Sequence, residues 1–147
     1  MYSNVKKLHI GLQENSIVKE ATSYVNTKPI VYYGSSITQG GCPSRPGMSY
    51  QAIISRKFNC DYINLGFSDY ALAEEDMIDY IKNLDMSIFV YDYDHNAPMV
   101  EYLKKTHEKM FNAIRNENPT MPIIMLRPKF NITDEEKERS SVIENII

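Results

Sequence analysis

One stretch, residues 30–47 (IVYYGSSITQGGCPSRPG), restricts the fold more than any other. Four apolar residues, Ile30, Val31, Tyr32 and Tyr33, stop at Gly34. Two serines, a threonine and paired glycines follow, and Pro46 and Gly47 stand just before a helical pattern. That order reads as a strand entering a hydroxyl-rich loop, which then feeds a helix. Backbone N–H groups in such a loop, and at the start of the next helix, point at whatever sits beyond the strand's end. Two chemistries use this arrangement. One is a cradle for phosphate; the other is a nucleophilic serine beside donors for a developing oxyanion.

The same transition recurs downstream. Residues 62–65 read as a short strand ending at Gly66, with a loop at 67–70. Residues 87–93 (SIFVYDY) read as a strand running into Asp94-His95-Asn96-Ala97-Pro98, and 122–126 as a fourth strand. Helical patterns separate them. Ser49 is placed to cap the first, through Phe58, with Ile53, Ile54 and Phe58 inward. The second has acid at 74–76, where the helix dipole favours it, and turns Met77, Ile78, Ile81 and Leu84 inward. A long helix to about Asn116 presents Val100, Leu103, Met110, Phe111 and Ile114. Thr133 and Glu136 make a capping-box pair for a last helix. Upstream, Val5, Leu8, Ile10 and Leu12 alternate with polar residues as in a strand, and 13–16 make a polar turn.

Alternating strands and helices predict an α/β fold: a parallel, flavodoxin-like sheet in three α/β/α layers, with helices on both faces. Such sheets bind ligands beyond the carboxyl ends of their strands. The loops after Tyr33, Leu65 and Tyr93 all fall at that edge. The expected division is an N-terminal strand or linker segment at 1–28 and one domain at 29–147. The last helix should lead into a fifth strand, so the domain is expected to lack its last strand and helix. The sheet edge left open at 122–126 then predicts self-association into a homo-oligomer.

The totals exclude several classes. At 147 residues with 43% hydrophobic and 24% charged content, this is one ordinary globular domain's length. A formal charge of −3 without a basic stripe argues against a nucleic-acid partner. No apolar run approaches the ~20 residues of a membrane span, and the alternating N-terminus does not resemble a signal peptide. Cys42 and Cys60 lack disulfide-framework or metal spacing and read as free thiols. Asp92 and Asp94 have no third or fourth ligand beside them, so no metal is expected and both read as solvated or loop-bracing. The tyrosines and methionines fall mainly on inner faces and imply no cofactor.

Gly34-Ser35-Ser36-Ile37-Thr38-Gln39-Gly40 resembles the first block of the GDSL/SGNH esterase and lipase family, with Ser35 where many members have Asp. Asn64-Leu65-Gly66-Phe67-Ser68 resembles the second block, and Asn96 within residues 92–98 the third. The stretch GGCPSRPGMSY is similar to a branch often preceded by a β-sandwich module. Order and spacing fit from about residue 29 to 130. The resemblance implies a serine esterase or acylhydrolase that passes through an acyl-enzyme on a small-molecule ester, one carrying a small acyl group, on carbohydrate or a similar polar alcohol. It implies Ser36 as nucleophile. It also implies an oxyanion hole made by the backbone N–H groups of Ser36 and Gly66 and the side-chain amide of Asn96. Thr38 and Arg45 become candidates for the substrate loop, although Arg45 could equally brace that loop.

The family places its base in an Asp-x-x-His block after the fifth strand. No such block follows residue 130, and no histidine follows His107. His9 reads as a surface or half-buried residue and His107, on an apolar helical face, as a core or boundary histidine. His95 borders Asn96 at the right edge and is the remaining candidate base. Neighbours on an extended segment point to opposite sides, which weakens it. Two alternatives follow: a phosphate- or flavin-binding flavodoxin-like module, and a non-catalytic remnant of the family.

Overall fold

The computed structural model describes residues 6–45, 47–127 and 133–146. Its centre is β1 (Asn26–Gly34), whose last residues, Val31 to Gly34, are buried on both faces. β2 (Cys60–Gly66) lies on one side of β1; β3 (Ile88–Asp92) and then β4 (Ile123–Met125) lie on the other. The order is β2-β1-β3-β4 and every pairing is parallel. Tyr33 pairs with Leu65 and Tyr91, and Gly34 with Gly66 and Asp92. The ends of three strands therefore finish in a single row.

Alternation along the strands splits the sheet into two faces. Val31, Tyr33, Phe89 and Tyr91 join Ile78 and Ile81 of α3 (Glu75–Lys82) and Leu103, Met110 and Ile114 of α4 (Val100–Glu117) in one apolar core. The helical stripes are as expected, and His107 adds a polar member to the α4 stripe. α5 (Asp134–Glu144) packs on α4 and opens with the expected capping box, reciprocal bonds between Thr133 and Glu136. On the other face Tyr32 meets the edges of Tyr50 and Tyr62, with ring centroids 5.5 and 6.4 Å away. Tyr50 opens α2 (Tyr50–Phe58).

Two sequence expectations need correction. α2 buries Gln51, Ala52 and Ser55 rather than Ile53, Ile54 and Phe58. Carbonyl groups beneath it require donors: Ser55 Oγ bonds the Cys60 carbonyl at 2.7 Å, and Gln51 Nε2 bonds the Thr38 carbonyl. Ile54 and Phe58 instead border a hollow of about 790 Å³ floored by Ile30, Tyr32, Val90 and Ile124. Ser49 stands at the N-cap of α2 but makes no side-chain capping bond. Residues 6–25 form no strand; Leu8, Ile10 and Leu12 are exposed. Alternation needs a partner strand to become a sheet, and none pairs with this segment. Val5 lies outside the described residues. The turn at 13–16 is present, with Ser16 N–H bonded to the Gln13 carbonyl. Among the described residues no helix is long and apolar enough to cross a membrane.

Candidate active site

The row of Gly34, Gly66 and Asp92 explains its own composition. A Cβ added to Gly34 would lie 1.6 Å from Asp92 Oδ1, and one added to Gly66 would lie 2.0 Å from the Gln39 backbone nitrogen. Only glycine lets the short helix α1 (Ser36–Gln39) cross directly over the end of β2. Ser35 caps that helix, its hydroxyl accepting from Ile37 N–H at 3.3 Å. Gly40 closes it in the left-handed region at φ 80°. Ser36 sits half-buried at the helix's first position.

Thr38 is the internal anchor. It is fully buried; its hydroxyl donates to Asp92 and lies 3.2 Å from the Tyr50 hydroxyl. Its carbonyl accepts from Gln51 and, at 2.9 Å, from Asn64 Nδ2. A residue expected on the substrate-facing loop is thus turned inward, because a buried carboxylate beneath the loop needs its hydroxyl. Asp92 also accepts the Ser35 backbone N–H. Burial pushes its pKa up to about 6, and the bonds from Thr38 and Ser35 oppose that rise.

Phe67 joins the three loops. Its N–H donates to the Gly34 carbonyl at 2.8 Å, and its carbonyl accepts from Asn96 Nδ2 at 2.9 Å. Next to it, Ser68 N–H donates to Gln39 Oε1 at 3.0 Å. Ser36, Gly66 and Asn96 therefore belong to one hydrogen-bonded assembly of loops, and each is half-buried. The donors have partners already. Gly66 N–H bonds Asn64 Oδ1 at 2.9 Å, while Phe67 takes one of the two N–H groups of Asn96.

Residues 94–96 form a turn, not an extended segment: Asn96 N–H bonds the Tyr93 carbonyl at 2.8 Å and Ala97 N–H the Asp94 carbonyl at 3.2 Å. The turn leaves His95 exposed and Asn96 half-buried. Asp94 is fully buried and faces Arg127 Nε at 3.4 Å. Burial raises its pKa, and His95, Arg127 and Arg139 pull it back. From α5, Arg139 Nη1 bonds the Asp94 carbonyl at 2.7 Å and Nη2 the Ala97 carbonyl at 3.0 Å. Asp92 and Asp94 are thus bracing carboxylates, and neither is solvated. Among the described residues no three His, Cys, Asp or Glu side chains gather as metal ligands.

His107 is buried, stacks on Tyr91 and Tyr93, and shares a 3.1 Å hydrogen bond between Nδ1 and the Tyr91 hydroxyl. Desolvation lowers its pKa to about 4. Of the two expected places, core or boundary, it takes the core. His9 is exposed. Arg45 is exposed on its loop, where its carbonyl accepts Met48 N–H at 3.2 Å. Cys42 is exposed and Cys60 buried, both as free thiols.

A sequence profile described as the GDSL-like lipase/acylhydrolase family matches residues 27–143, which takes in all four strands but the first residue of β1. The chain belongs to that family. A crystal structure described as that of a GDSL-like lipase from Bacteroides ovatus aligns over 86% of this chain and 39% of its own, at 29% identity and a TM-score of 0.73. A salicylyl-acyltransferase from a tetracycline biosynthetic pathway aligns over 87% and 39%, at 15% identity and 0.67. A family two carbohydrate esterase from Clostridium thermocellum, solved with cellohexaose, aligns over 89% and 51%, at 14% identity and 0.64. The last two share the fold. This GDSL-like chain spans 39–51% of the length of those three proteins. No curated protein matches it in sequence.

Sequence reading missed several residues that build this GDSL-like site. Gln39 and Asn64 tie α1 to the second loop, and Arg139 grips the third from α5. Gln39 and Asn64 each lie within a recognised block, which is a usable signal. Arg139 carries none: with Glu135 at i−4 it reads as an ordinary surface pair.

Proposed function

We propose that this domain supplies the nucleophile and the oxyanion donors of a serine acylhydrolase acting on carboxylic esters. Ser36 Oγ attacks the ester carbonyl carbon, the alcohol leaves, and water later releases the acyl group from Ser36. The observation that carries this reading is Phe67, bonded at once to the end of β1 and to Asn96. It ties the loop of Asn96 to the strand end that leads into Ser36. The donors would be the Ser36 backbone N–H and the second amide N–H of Asn96. Gly66 N–H would join them by exchanging Asn64 Oδ1 for the oxyanion. Fixed neutral donors stabilise that charge without reorganising, and one typically contributes ~3 kcal/mol to the barrier. The alcohol side is read, from family resemblance, as carbohydrate or a similar polar group.

A hydroxyl attacks well only when a base takes its proton. His107 is enclosed in the core and His9 is exposed on the N-terminal segment, which leaves exposed His95, beside Asn96 on the third loop, as the candidate base among the chain's histidines. The phosphate-cradle reading loses support from the same loop. The hydroxyls of Ser35 and Thr38 are committed to internal bonds, and Asp92 places a carboxylate beneath them. The test is labelling with an ethyl fluorophosphonate at pH 8, with and without added imidazole as a surrogate base. Mass spectrometry should find the adduct on the peptide carrying Ser36, faster with imidazole and absent in Ser36→Ala. An adduct elsewhere, or none with imidazole present, overturns the proposal.

A further inference from the structure

Beside Ser36 the chain folds a second small hollow, of about 290 Å³. It lies at the small end of ligand sites, which run ~300–1,000 Å³. Ile37, Cys42, Pro43, Met48 and Tyr50 line it together with Ser36, and among the described residues no charged side chain does. Its shape is fixed from three sides. Gly41 N–H bonds the Ser36 carbonyl at 2.9 Å, turning the loop back on α1. Gly40 lets Ser49 approach, since a Cβ there would lie 3.0 Å from Ser49 Cβ. The Tyr50 hydroxyl is held 3.2 Å from Thr38 Oγ1, whose other partner is the buried Asp92. Ile37 and Met48 stay 45% and 38% exposed, so an apolar guest would cover surface that water now wets.

We infer that this hollow is the acyl-chain subsite of the proposed ester cleavage, and that Met48 sets the length of chain it admits. The inference rests on Ser36 being the nucleophile, because Ser36 lines the hollow and the acyl chain of a carbonyl held at Ser36 would lie against it. An alcohol group rich in hydroxyls would find few partners there, whereas a short unbranched chain fits the apolar wall. Met48 is unbranched and adaptable, and so it can yield to one or two methylenes but not to a long chain. The subsite therefore takes short acyl groups and rejects those of fatty-acid length.

The probes are methyl-, butyl-, hexyl- and dodecylboronic acid, which need no turnover. Ser36 Oγ adds to boron, its proton passes to buffer, and the boron becomes tetrahedral, a change read by boron NMR. Methyl-labelled methionine reports occupancy at Met48. The expected result is a tetrahedral signal absent in Ser36→Ala and an affinity rising about fourfold per methylene from methyl to butyl. The Met48 methyl should shift, and dodecyl should bind worse than butyl. Met48→Trp should remove the advantage of butyl over methyl, and Met48→Ala should move the optimum to a longer chain. A tetrahedral adduct with no dependence on chain length, or with an unmoved Met48 methyl, overturns the subsite and leaves the nucleophile standing. No tetrahedral adduct with any of the four acids overturns both.

Discussion

Gly66 is the residue on which the approach of α1 to the sheet depends, and it offers a sharp comparison with Gly11. A methyl group on Gly66 would meet backbone atoms of Thr38 and Gln39 at 2.0–2.5 Å, and backbone cannot rotate away as a side chain can. Gly11 has nothing within 4 Å. Gly66→Ala should therefore lose ~1–3 kcal/mol of unfolding free energy, the usual cost of overpacking. Gly11→Ala should stay within about 0.5 kcal/mol. Urea denaturation of the two variants checks this, and equal stabilities would mean that α1 is free to lift off β2. The glycine was legible as part of a block, but its reason was not. A sequence shows where glycine stands; only the register of β1 with β2 shows which backbone passes over it. Asp92 was illegible for the same cause. In Asp92-Tyr93-Asp94 two carboxylates two apart look solvated, until the pairing of Gly34 with Asp92 buries one under Thr38.

Among the elements, the strands and their order of chemistry were the most readable. Apolar runs ending in glycine or polar clusters marked β1, β2 and β3 within a few residues, and the capping box marked α5. The errors came where periodicity met an uneven environment. α2 hides polar side chains because carbonyls of α1 and of the start of β2 need donors, and helix periodicity carries no record of such a demand. The alternation at residues 8–12 failed for want of a partner strand. β4 shows the converse, a strand that among the described residues has a partner on one side only. It lies at the sheet's edge after β3, and Ile124 faces the hollow while 43% exposed. Unpaired edges with apolar neighbours favour pairing between chains. We therefore expect concentration-dependent self-association that added salt does not weaken, since apolar contact would drive it. Light scattering across a dilution series should show mass falling toward the monomer, and Ile124→Lys should shift the transition to higher concentration. A monomer at every concentration would show that this edge is inert.

At the scale of the whole molecule, the two faces of the site and core respond to acid in opposite senses. Asp92 titrates near 6 in the folded chain against an ordinary 3.8, because burial disfavours its charge. The folded state thus binds the extra proton between those values, and this contribution to stability grows as pH falls from about 6 to 4. His107 titrates near 4 against an ordinary 6.5, so here the unfolded chain binds the extra proton. Its contribution is full above about 6.5 and is lost as pH falls toward 4. The two windows nearly coincide and the signs oppose, so these two contributions work against each other between pH 4 and 6. Asp94, also raised by burial, adds the same background to every variant that keeps it. Removing one partner should uncover the other. Asp92→Asn should lose stability relative to wild type as pH falls from 6 to 4, and His107→Gln should gain it from 6.5 to 4. Each slope approaches at most ~1.4 kcal/mol per pH unit. Both substitutions disturb buried bonds, to Thr38 in one case and Tyr91 in the other, so the slopes decide and the absolute stabilities do not. Urea midpoints at half-unit steps from pH 4 to 7 provide them. Parallel profiles for the two variants would mean that neither burial holds its group in the charge state assigned to it, since a shared change in the unfolded chain cannot produce slopes of opposite sign.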